Sequence, residues 1–349
     1  MTGKLLVARL PGELRAVRLD RAGRLQDLRI ERGGPATQAG SLYRGRIARI
    51  DRALAAAFVD LGEDLPGFLP LDKAPEGVTE GTALCLKVTR APSPGKGAKL
   101  SAKGVPQSDG PAPALLQAAA GLEAWLTAQE RAPEETGACF PEAVEAEIET
   151  LLQPEVTLPG GGRLIVEPVS SMTAIDVDSG SDARGALEID LAAAAEIPRQ
   201  LRLRNLSGLI VVDFLGLERR DARRQVTERL TEGCAADREP VELSAMSASG
   251  LVEIARRRAA PALHEIMFWP PHRRRQPLSL AYDALRGFAA APPAPAAELR
   301  LSHRLAAALR GPAGEALAAL EARRGHSLVL IEEAWRDDDS YELVIASRP

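Results

Sequence analysis

The chain has 349 residues, 45% of them hydrophobic and 26% charged, with a formal net charge of −4. This is enough sequence for about two globular domains, and the overall charge by itself argues weakly against nucleic-acid binding. No run of about 18 apolar residues and no signal peptide is found, so we expect no membrane-spanning helix and a cytoplasmic protein. The three cysteines form no CxxC pair, which argues against a cysteine zinc site and a disulfide scaffold.

The first hundred residues predict β-structure with an excess of positive charge. Residues 1–105 hold 18 Lys and Arg against 11 Asp and Glu. Alternating apolar positions in residues 4–32 predict two or three antiparallel strands. Five further short strands between glycine turns are typical of an OB-type barrel. These strands are Ser41–Ile50, Ala55–Leu61, Gly67–Leu71, Thr82–Arg90 and Lys99–Ser101.

The next segment is acidic and less regular. Residues 106–195 hold 3 basic and 16 acidic residues, so a basic module is followed by one rich in carboxylates. Proline and glycine in residues 104–113 predict a linker. Two helices are expected after it, the alanine-rich Ala114–Gln129 and the acidic Pro141–Leu152.

Residues 163–260 predict an α/β layer. Apolar strands are expected at Met172–Val177, Leu209–Phe214 and Val241–Met246. Helices are expected at Leu187–Asn205, which Pro198 should kink or end, at Asp221–Ala236 and at Leu251–Arg258. Residues 276–349 predict a last small unit, with helices at Ser279–Phe288 and Pro312–Arg323 and strands at Ser327–Trp335 and Tyr341–Ser347.

Three acids interrupt the apolar strands. Asp176 and Asp178 are two residues apart, so on a strand they point to the same face, and Asp213 ends another strand. Two such strands in one sheet would bring three carboxylates around one Mg²⁺ ion, which prefers oxygen ligands. The alternative is that each Asp caps the turn or helix that follows its strand.

Phe58 and Phe68 stand out in a chain with only 3% aromatic residues. On adjacent strands they would form a stacking platform for bases, rimmed by four cations, Arg44, Arg46, Lys96 and Lys99. The alternative is packing in the barrel core. Two arginine runs, Arg256–Arg258 and Arg273–Arg275, would either contact phosphates or lie on a solvated face.

Four motifs in this order resemble the ribonuclease E/G family of bacterial endoribonucleases. They are Ile-Ala-Arg-Ile-Asp to Gly-Phe-Leu-Pro-Leu at 47–71, Leu158–Glu167 with Thr173–Gly180, Gln200–Phe214, and Gly250–Arg258. The resemblance implies that Asp176 and Asp213 are the catalytic, metal-holding aspartates, with Asp178 where the family usually has Asn. It also implies that Phe58 and Phe68 stack RNA bases and that Lys96 is the basic residue of the barrel loop.

The fold class expected from pattern and resemblance together is α+β multidomain. It comprises an OB-fold barrel inserted near the N-terminus, an α/β catalytic domain with DNase-I-like or RNase-H-like layers, and a small C-terminal α+β unit. The expected segments are a β segment packing on the catalytic region, the OB-fold domain, a linker with a reduced sensor region, the catalytic domain and the C-terminal domain. They cover 1–37, 38–103, 104–152, 153–265 and 276–349.

The chain also departs from the family pattern. It lacks the Arg-Thr-x-Gly motif of the 5′-monophosphate pocket and the CPxC zinc link, and Ser249 stands where Phe is usual. We therefore expect no zinc site and no zinc-linked tetramer. A homodimer formed through residues 276–349 stays an open alternative.

The predicted function is Mg²⁺-dependent cleavage of single-stranded RNA to 5′-phosphate and 3′-hydroxyl ends, in ribosomal RNA or messenger RNA processing or decay. A catalytically weak RNA-binding factor is the alternative, and an OB-domain scaffold for protein partners is a third.

Overall fold

The computed structural model describes residues 3–32, 38–92, 95–129, 132–169, 171–269, 274–294 and 296–345. They form a mixed α+β structure that divides into two units. The first unit comprises Met1–Gly34, Trp125–Leu152 and Leu263–Pro349, and the second comprises Pro35–Ala124 and Gln153–Ala262. No helix in the described ranges is long and apolar enough to cross a membrane.

The N-terminal residues form an antiparallel meander in the first unit. Its strands are β1 (Leu5–Leu10), β2 (Glu13–Leu19) and β3 (Leu25–Arg32). The contacts group this segment with residues Trp125–Leu152 and Leu263–Pro349. The reason is local: the buried Glu13 pairs with Arg286, and the Tyr282 hydroxyl donates a hydrogen bond to the Gly12 carbonyl at 2.9 Å.

A closed five-stranded barrel follows, as the turn spacing predicts. Its strands are β4 (Leu42–Asp51), β5 (Ala56–Asp60), β6 (Gly67–Pro70), β7 (Ala83–Arg90) and β8 (Lys99–Ser101). The order β5-β6-β8-β7-β4 is closed by pairing of β4 with β5. Inward residues such as Ile47, Val59, Leu69 and Leu86 fill the interior.

The helix predicted over Ala114–Gln129 is wrong. Residues Ala114–Gln117 form a strand, β9, which pairs with β4, and only Leu122–Thr127 is helical (α1). The alanine content favours a helix only weakly, whereas Leu115 gains ladder hydrogen bonds opposite Tyr43 and packs against the barrel core.

The central sheet of the second unit has six strands in the order β11-β12-β13-β14-β16-β15. Before it in the chain come β10 (Glu134–Glu135), which pairs with β1, and α2 (Glu142–Thr150). The elements of the layer, in chain order, are β11 (Glu155–Thr157), β12 (Arg163–Pro168), β13 (Thr173–Asp178), α3 (Ala186–Leu203), β14 (Gly208–Asp213), α4 (Arg220–Cys234), β15 (Val241–Leu243) and β16 (Leu251–Arg256). Residues from α3 and α4 cover one face and bury the apolar side chains of the strands, among them Ile175, Ile210 and Val212.

One prediction for this layer is wrong, and another is confirmed. Leu251–Arg256 is a strand rather than a helix, because Val252, Ile254 and Arg256 point inward in strict alternation with exposed neighbours. The helix predicted over Leu187–Asn205 is confirmed as α3, and Pro198 does not end it, because α3 continues to Leu203. Pro198 is buried against Gly233 of α4, where an added Cβ would lie 2.6 Å from the proline ring, so close helix packing offsets the lost backbone hydrogen bond.

The remaining elements belong to the first unit. They are α5 (Leu263–Met267), β17 (Phe268–Trp269), β18 (Arg274–Arg275), α6 (Pro277–Ala290), β19 (Ala297–Leu301), α7 (His303–Arg310), α8 (Gly314–Arg324), β20 (Leu328–Glu332) and β21 (Tyr341–Ile345). The three-stranded sheet β20-β19-β21 and helices α6, α7 and α8 share one apolar core.

Candidate active site and RNA-binding surface

Asp176 and Asp213 lie directly opposite each other in the six-stranded sheet. β13 and β14 are parallel, and Asp176 is the register partner of Asp213. Their neighbours Ile175, Val177 and Val212 are buried in the core, so the alternation of a strand directs both aspartates to the opposite, exposed face. The sheet therefore brings together two of the three acids that the sequence singles out.

The carboxylate pair carries uncompensated negative charge. Partial burial raises the pKa of Asp176, and Asp213, Asp178 and Glu167 raise it further by charge repulsion. Within the described residues, neither Asp176 nor Asp213 forms an ion pair. Two neighbouring carboxylates without a counter-ion fit Mg²⁺, which is commonly bound through one or two carboxylates while it keeps several waters.

Asp178 has a different environment. One of its oxygens accepts the Gly180 N–H at 2.6 Å, and the other pairs with the Arg163 guanidinium at 2.9 Å. These two contacts lower the pKa of Asp178. Among the described residues, no group of three or more His, Cys, Asp or Glu is arranged to hold a metal ion. The sequence predicts three carboxylates around one cation. In the structure Asp176 and Asp213 form a pair, and Asp178 is turned towards Arg163.

A row of aromatic and cationic residues crosses the barrel surface. The strand registers place Arg49 beside Phe58, Phe58 beside Phe68, Phe68 beside Lys99, and Lys99 beside Arg90. Arg49, Lys99 and Arg90 are exposed, and both rings are partly exposed. The rings are therefore surface residues rather than barrel core, which was the alternative. We call these five residues the barrel row.

The two rings meet edge to face. Their centroids are 6.0 Å apart and their planes make an angle of 78°. The guanidinium carbon of Arg49 lies 4.6 Å from the Phe58 centroid, a cation–π contact. Aromatic faces between flanking cations are the combination with which proteins hold the bases and phosphates of single-stranded nucleic acids.

Arg44 and Arg46, also expected at this surface, donate hydrogen bonds to backbone carbonyls. The Arg44 side chain is 11% exposed and donates to the carbonyls of Ser108 and Gly110. Arg46 donates to the carbonyl of Gly81 at 3.0 Å and to that of Ala112 at 3.5 Å. Lys96, by contrast, is exposed in the loop between β7 and β8.

A known protein family matches the part of the chain that carries the carboxylate pair. The model of the ribonuclease E/G family matches residues 131–259. Ribonuclease E of Haemophilus influenzae is 40% identical over 128 residues, which are 35% of this chain and 14% of that protein. Ribonuclease E of Escherichia coli is 41% identical over 128 residues, 35% of this chain and 12% of that protein. Ribonuclease G of Escherichia coli is 35% identical over 131 residues, 36% of this chain and 27% of that protein.

Residues 131–259 are similar to the ribonuclease E/G family, and we call them the ribonuclease E/G segment. Asp176, Asp178 and Asp213 all lie within this ribonuclease E/G segment, whereas the barrel row lies outside it. The aligned part spans between 12% and 27% of the lengths of the three relatives named above.

The first arginine run of the ribonuclease E/G segment is structural. Arg256 is fully buried and bonds to both carboxylate oxygens of Asp237, at 3.0–3.2 Å. Arg257 pairs with Glu239 at 2.8 Å, and Arg258 donates to the carbonyl of Pro92. In the second run, Arg273 lies outside the described residues and Arg275 pairs with Glu149. Arg256 is therefore a buried structural residue, whereas the Arg257 side chain is 56% exposed and lies on a solvated face.

Sequence reasoning assigned no role to several residues around these sites. Arg49 reaches the barrel row only because the strand register shifts between Ile47 and Arg49, and no pattern of residue types signals that bulge. The segment after Asp213 is fixed by the Phe214 N–H, which donates to the Gly250 carbonyl at 3.2 Å. Gly250 has φ +91°, and an added Cβ would lie 2.8 Å from the Phe214 oxygen, so this approach requires glycine.

Proposed function

We propose that this protein is a metal-dependent endoribonuclease that cuts single-stranded RNA and leaves 5′-phosphate and 3′-hydroxyl ends. The observation that carries the proposal is the exposed, unneutralised Asp176–Asp213 pair in a ribonuclease E/G segment. A mere RNA-binding surface gains nothing from adjacent carboxylates that repel a polyanion, whereas a bound cation reverses that repulsion.

In this proposal the two aspartates hold the metal ion. A bound Mg²⁺ supplies a polarised phosphate and an activated water for phosphodiester hydrolysis. Asp178 does not share this task, because its oxygens are engaged by Arg163 and Gly180. Its contacts tie the end of β13 to β12 and so keep the strand that carries Asp176 in place.

The barrel row would hold the RNA. Phe58 and Phe68 offer faces for two unstacked bases, and Arg49, Lys99 and Arg90 lie where phosphates on either side would pass. Because the two ring planes are nearly perpendicular, bases stacked on both rings cannot remain parallel to each other. This geometry favours flexible single strands over duplex RNA, and processing or decay of ribosomal or messenger RNA requires such substrates.

The test is cleavage of a fluorescent, AU-rich single-stranded RNA by wild type, Asp176→Asn and Asp213→Asn, with Mg²⁺ and with EDTA. We expect either substitution to slow cleavage by at least about 10²-fold, as removal of one preorganised charge-stabilising group does. Glu242→Gln is the matched control, since Glu242 is an exposed carboxylate on the edge strand β15. Cleavage at the wild-type rate by both aspartate variants, or in EDTA, would overturn the proposal.

The same assay distinguishes the endoribonuclease from the second candidate function, an RNA-binding factor without turnover. That candidate is favoured by the lack of a three-carboxylate group in the described residues. It predicts tight binding of the same RNA, sensitive to Phe58→Ala, with no Mg²⁺-dependent product.

For the proposed endoribonuclease, substrates with 5′-phosphate and 5′-hydroxyl ends should be cleaved at equal rates, because no 5′-sensor motif is present in the sequence.

A further inference from the structure

Asp190 is a buried carboxylate for which the proposed reaction has no direct use. It lies in α3 and is 0% exposed. Its Oδ1 accepts the backbone N–H of Leu215 at 3.1 Å, whereas its Oδ2 is buried without a hydrogen-bond partner among the described residues. Burial raises the pKa of this carboxyl to about 6.

The one hydrogen bond of Asp190 leads to the active-site segment. Leu215 lies two residues beyond Asp213, in the stretch between the end of β14 and the start of α4 at Arg220. This stretch has no regular secondary structure that would use the Leu215 N–H. Asp190 and the carbonyl of Gly250 therefore anchor two consecutive amide groups directly after Asp213.

Packing alone does not account for an acid at this position. The neighbouring α3 residues Ile189, Ala193, Ala194 and Ile197 are apolar core residues. A buried carboxylate with one unpaired oxygen destabilises a core, and an apolar residue of similar size would avoid that cost. What an apolar residue cannot do is accept the Leu215 N–H.

We propose that Asp190 is a positioning residue for the carboxylate pair. By accepting the Leu215 N–H it fixes the backbone from which Asp213 projects, and thereby the placement of Asp213 opposite Asp176. Asp190 touches neither substrate nor metal in this account. The inference rests on the proposed function, since the pair has a task only if it holds a cation.

The test compares substitutions that keep the acceptor with ones that remove it. Asp190→Asn retains a carbonyl oxygen for the Leu215 N–H and removes the charge; Asp190→Leu has similar size and no acceptor. Asp190→Ala replaces Asp190→Leu if the latter does not fold. Ile197→Ala is the control for lost stability, because Ile197 is fully buried in the same helix and core.

Two readouts separate positioning from general damage. For Asp190→Leu we expect kcat for single-stranded RNA to fall by at least about 10-fold, as small displacements of reacting groups do, with unchanged KM because the barrel row is untouched. Mn²⁺ affinity, measured by calorimetry without RNA, should weaken in the same variant. Asp190→Asn should restore both quantities, and Ile197→Ala should leave both unchanged below its unfolding temperature.

The outcomes distinguish this inference from the proposed function. If Asp213→Asn abolishes cleavage but Asp190→Leu and Asp190→Ala keep wild-type kcat and Mn²⁺ affinity, the positioning role is refuted and the nuclease proposal stands. Loss of activity in Asp190→Asn equal to that in Asp190→Leu also refutes it, because the acceptor is then not what matters. If wild type neither cleaves RNA nor binds Mn²⁺, both proposals fall.

Discussion

Replacing Asp190 by Asn should make the protein more stable at neutral pH, by an amount that depends on pH. The folded state raises the pKa of this carboxyl from 3.8 to about 6 through burial. Each pKa unit corresponds to about 1.4 kcal/mol, so ionised Asp190 destabilises the folded state by up to about 3 kcal/mol. Asn carries no charge and keeps the acceptor for the Leu215 N–H, so it removes this penalty.

The sign of the pH dependence follows from the direction of the shift. Below pH 3.8 the carboxyl is neutral in both states and carries no penalty. The penalty grows between pH 3.8 and about 6, the two pKa values, and is constant above. Asp190→Asn should therefore gain up to about 3 kcal/mol in the free energy of unfolding at pH 8 and less than about 1 kcal/mol at pH 4.

The assay must report on the second unit. All three tryptophans lie in the residue ranges of the first unit, so intrinsic fluorescence is a poor probe of α3. Urea unfolding followed by pulsed hydrogen exchange, read in peptides from α3 at both pH values, measures the right transition. If Asp190→Asn gains the same unfolding free energy at pH 4 and pH 8, or loses it at pH 8, burial of ionised Asp190 does not destabilise the folded state.

Three further predictions concern the barrel row and the buried ion pair. Phe58→Ala should weaken binding of single-stranded RNA by about 1–3 kcal/mol, measured by fluorescence anisotropy; unchanged affinity would remove Phe58 from the RNA site. Lys99→Ala should lower the slope of log affinity against log salt by about 0.7, the value for one phosphate contact on a single strand; Lys87→Ala, which removes a lysine elsewhere on the barrel, is the control. Asp237→Asn should destabilise the second unit by about 3–5 kcal/mol, because it leaves the buried Arg256 guanidinium without its negatively charged partner. A urea midpoint equal to that of wild type would contradict this.

The residues of the carboxylate pair were predictable because each interrupts an otherwise apolar strand. The two-residue period of a strand also assigns Asp176 and Asp178 to one face. The register that places Asp176 opposite Asp213 was not predictable, since it depends on the βαβ crossover through α3. The Arg163–Asp178 ion pair was likewise not predictable from the sequence, because it links side chains on neighbouring strands.

The elements predicted wrongly are those whose sequence satisfies two patterns. Leu-Val-Glu-Ile-Ala-Arg at 251–256 fits a helix as well as a strand, and pairing with β14 and β15 selects the strand. Arg44 and Arg46 have the residue type expected for phosphate contacts, and only the structure reveals their hydrogen bonds to linker carbonyls. Asp190 would ordinarily be assigned to a solvent-exposed face of its helix, and only the approach of residues 214–216 reveals its burial.

The most direct test of the central claim measures Mg²⁺-dependent cleavage of single-stranded RNA by wild type, Asp213→Asn and Glu242→Gln, side by side. We expect cleavage by wild type and Glu242→Gln, at least about 10²-fold slower cleavage by Asp213→Asn, and none in EDTA. Equal cleavage by all three proteins, or RNA binding without any cleavage by wild type, would contradict it.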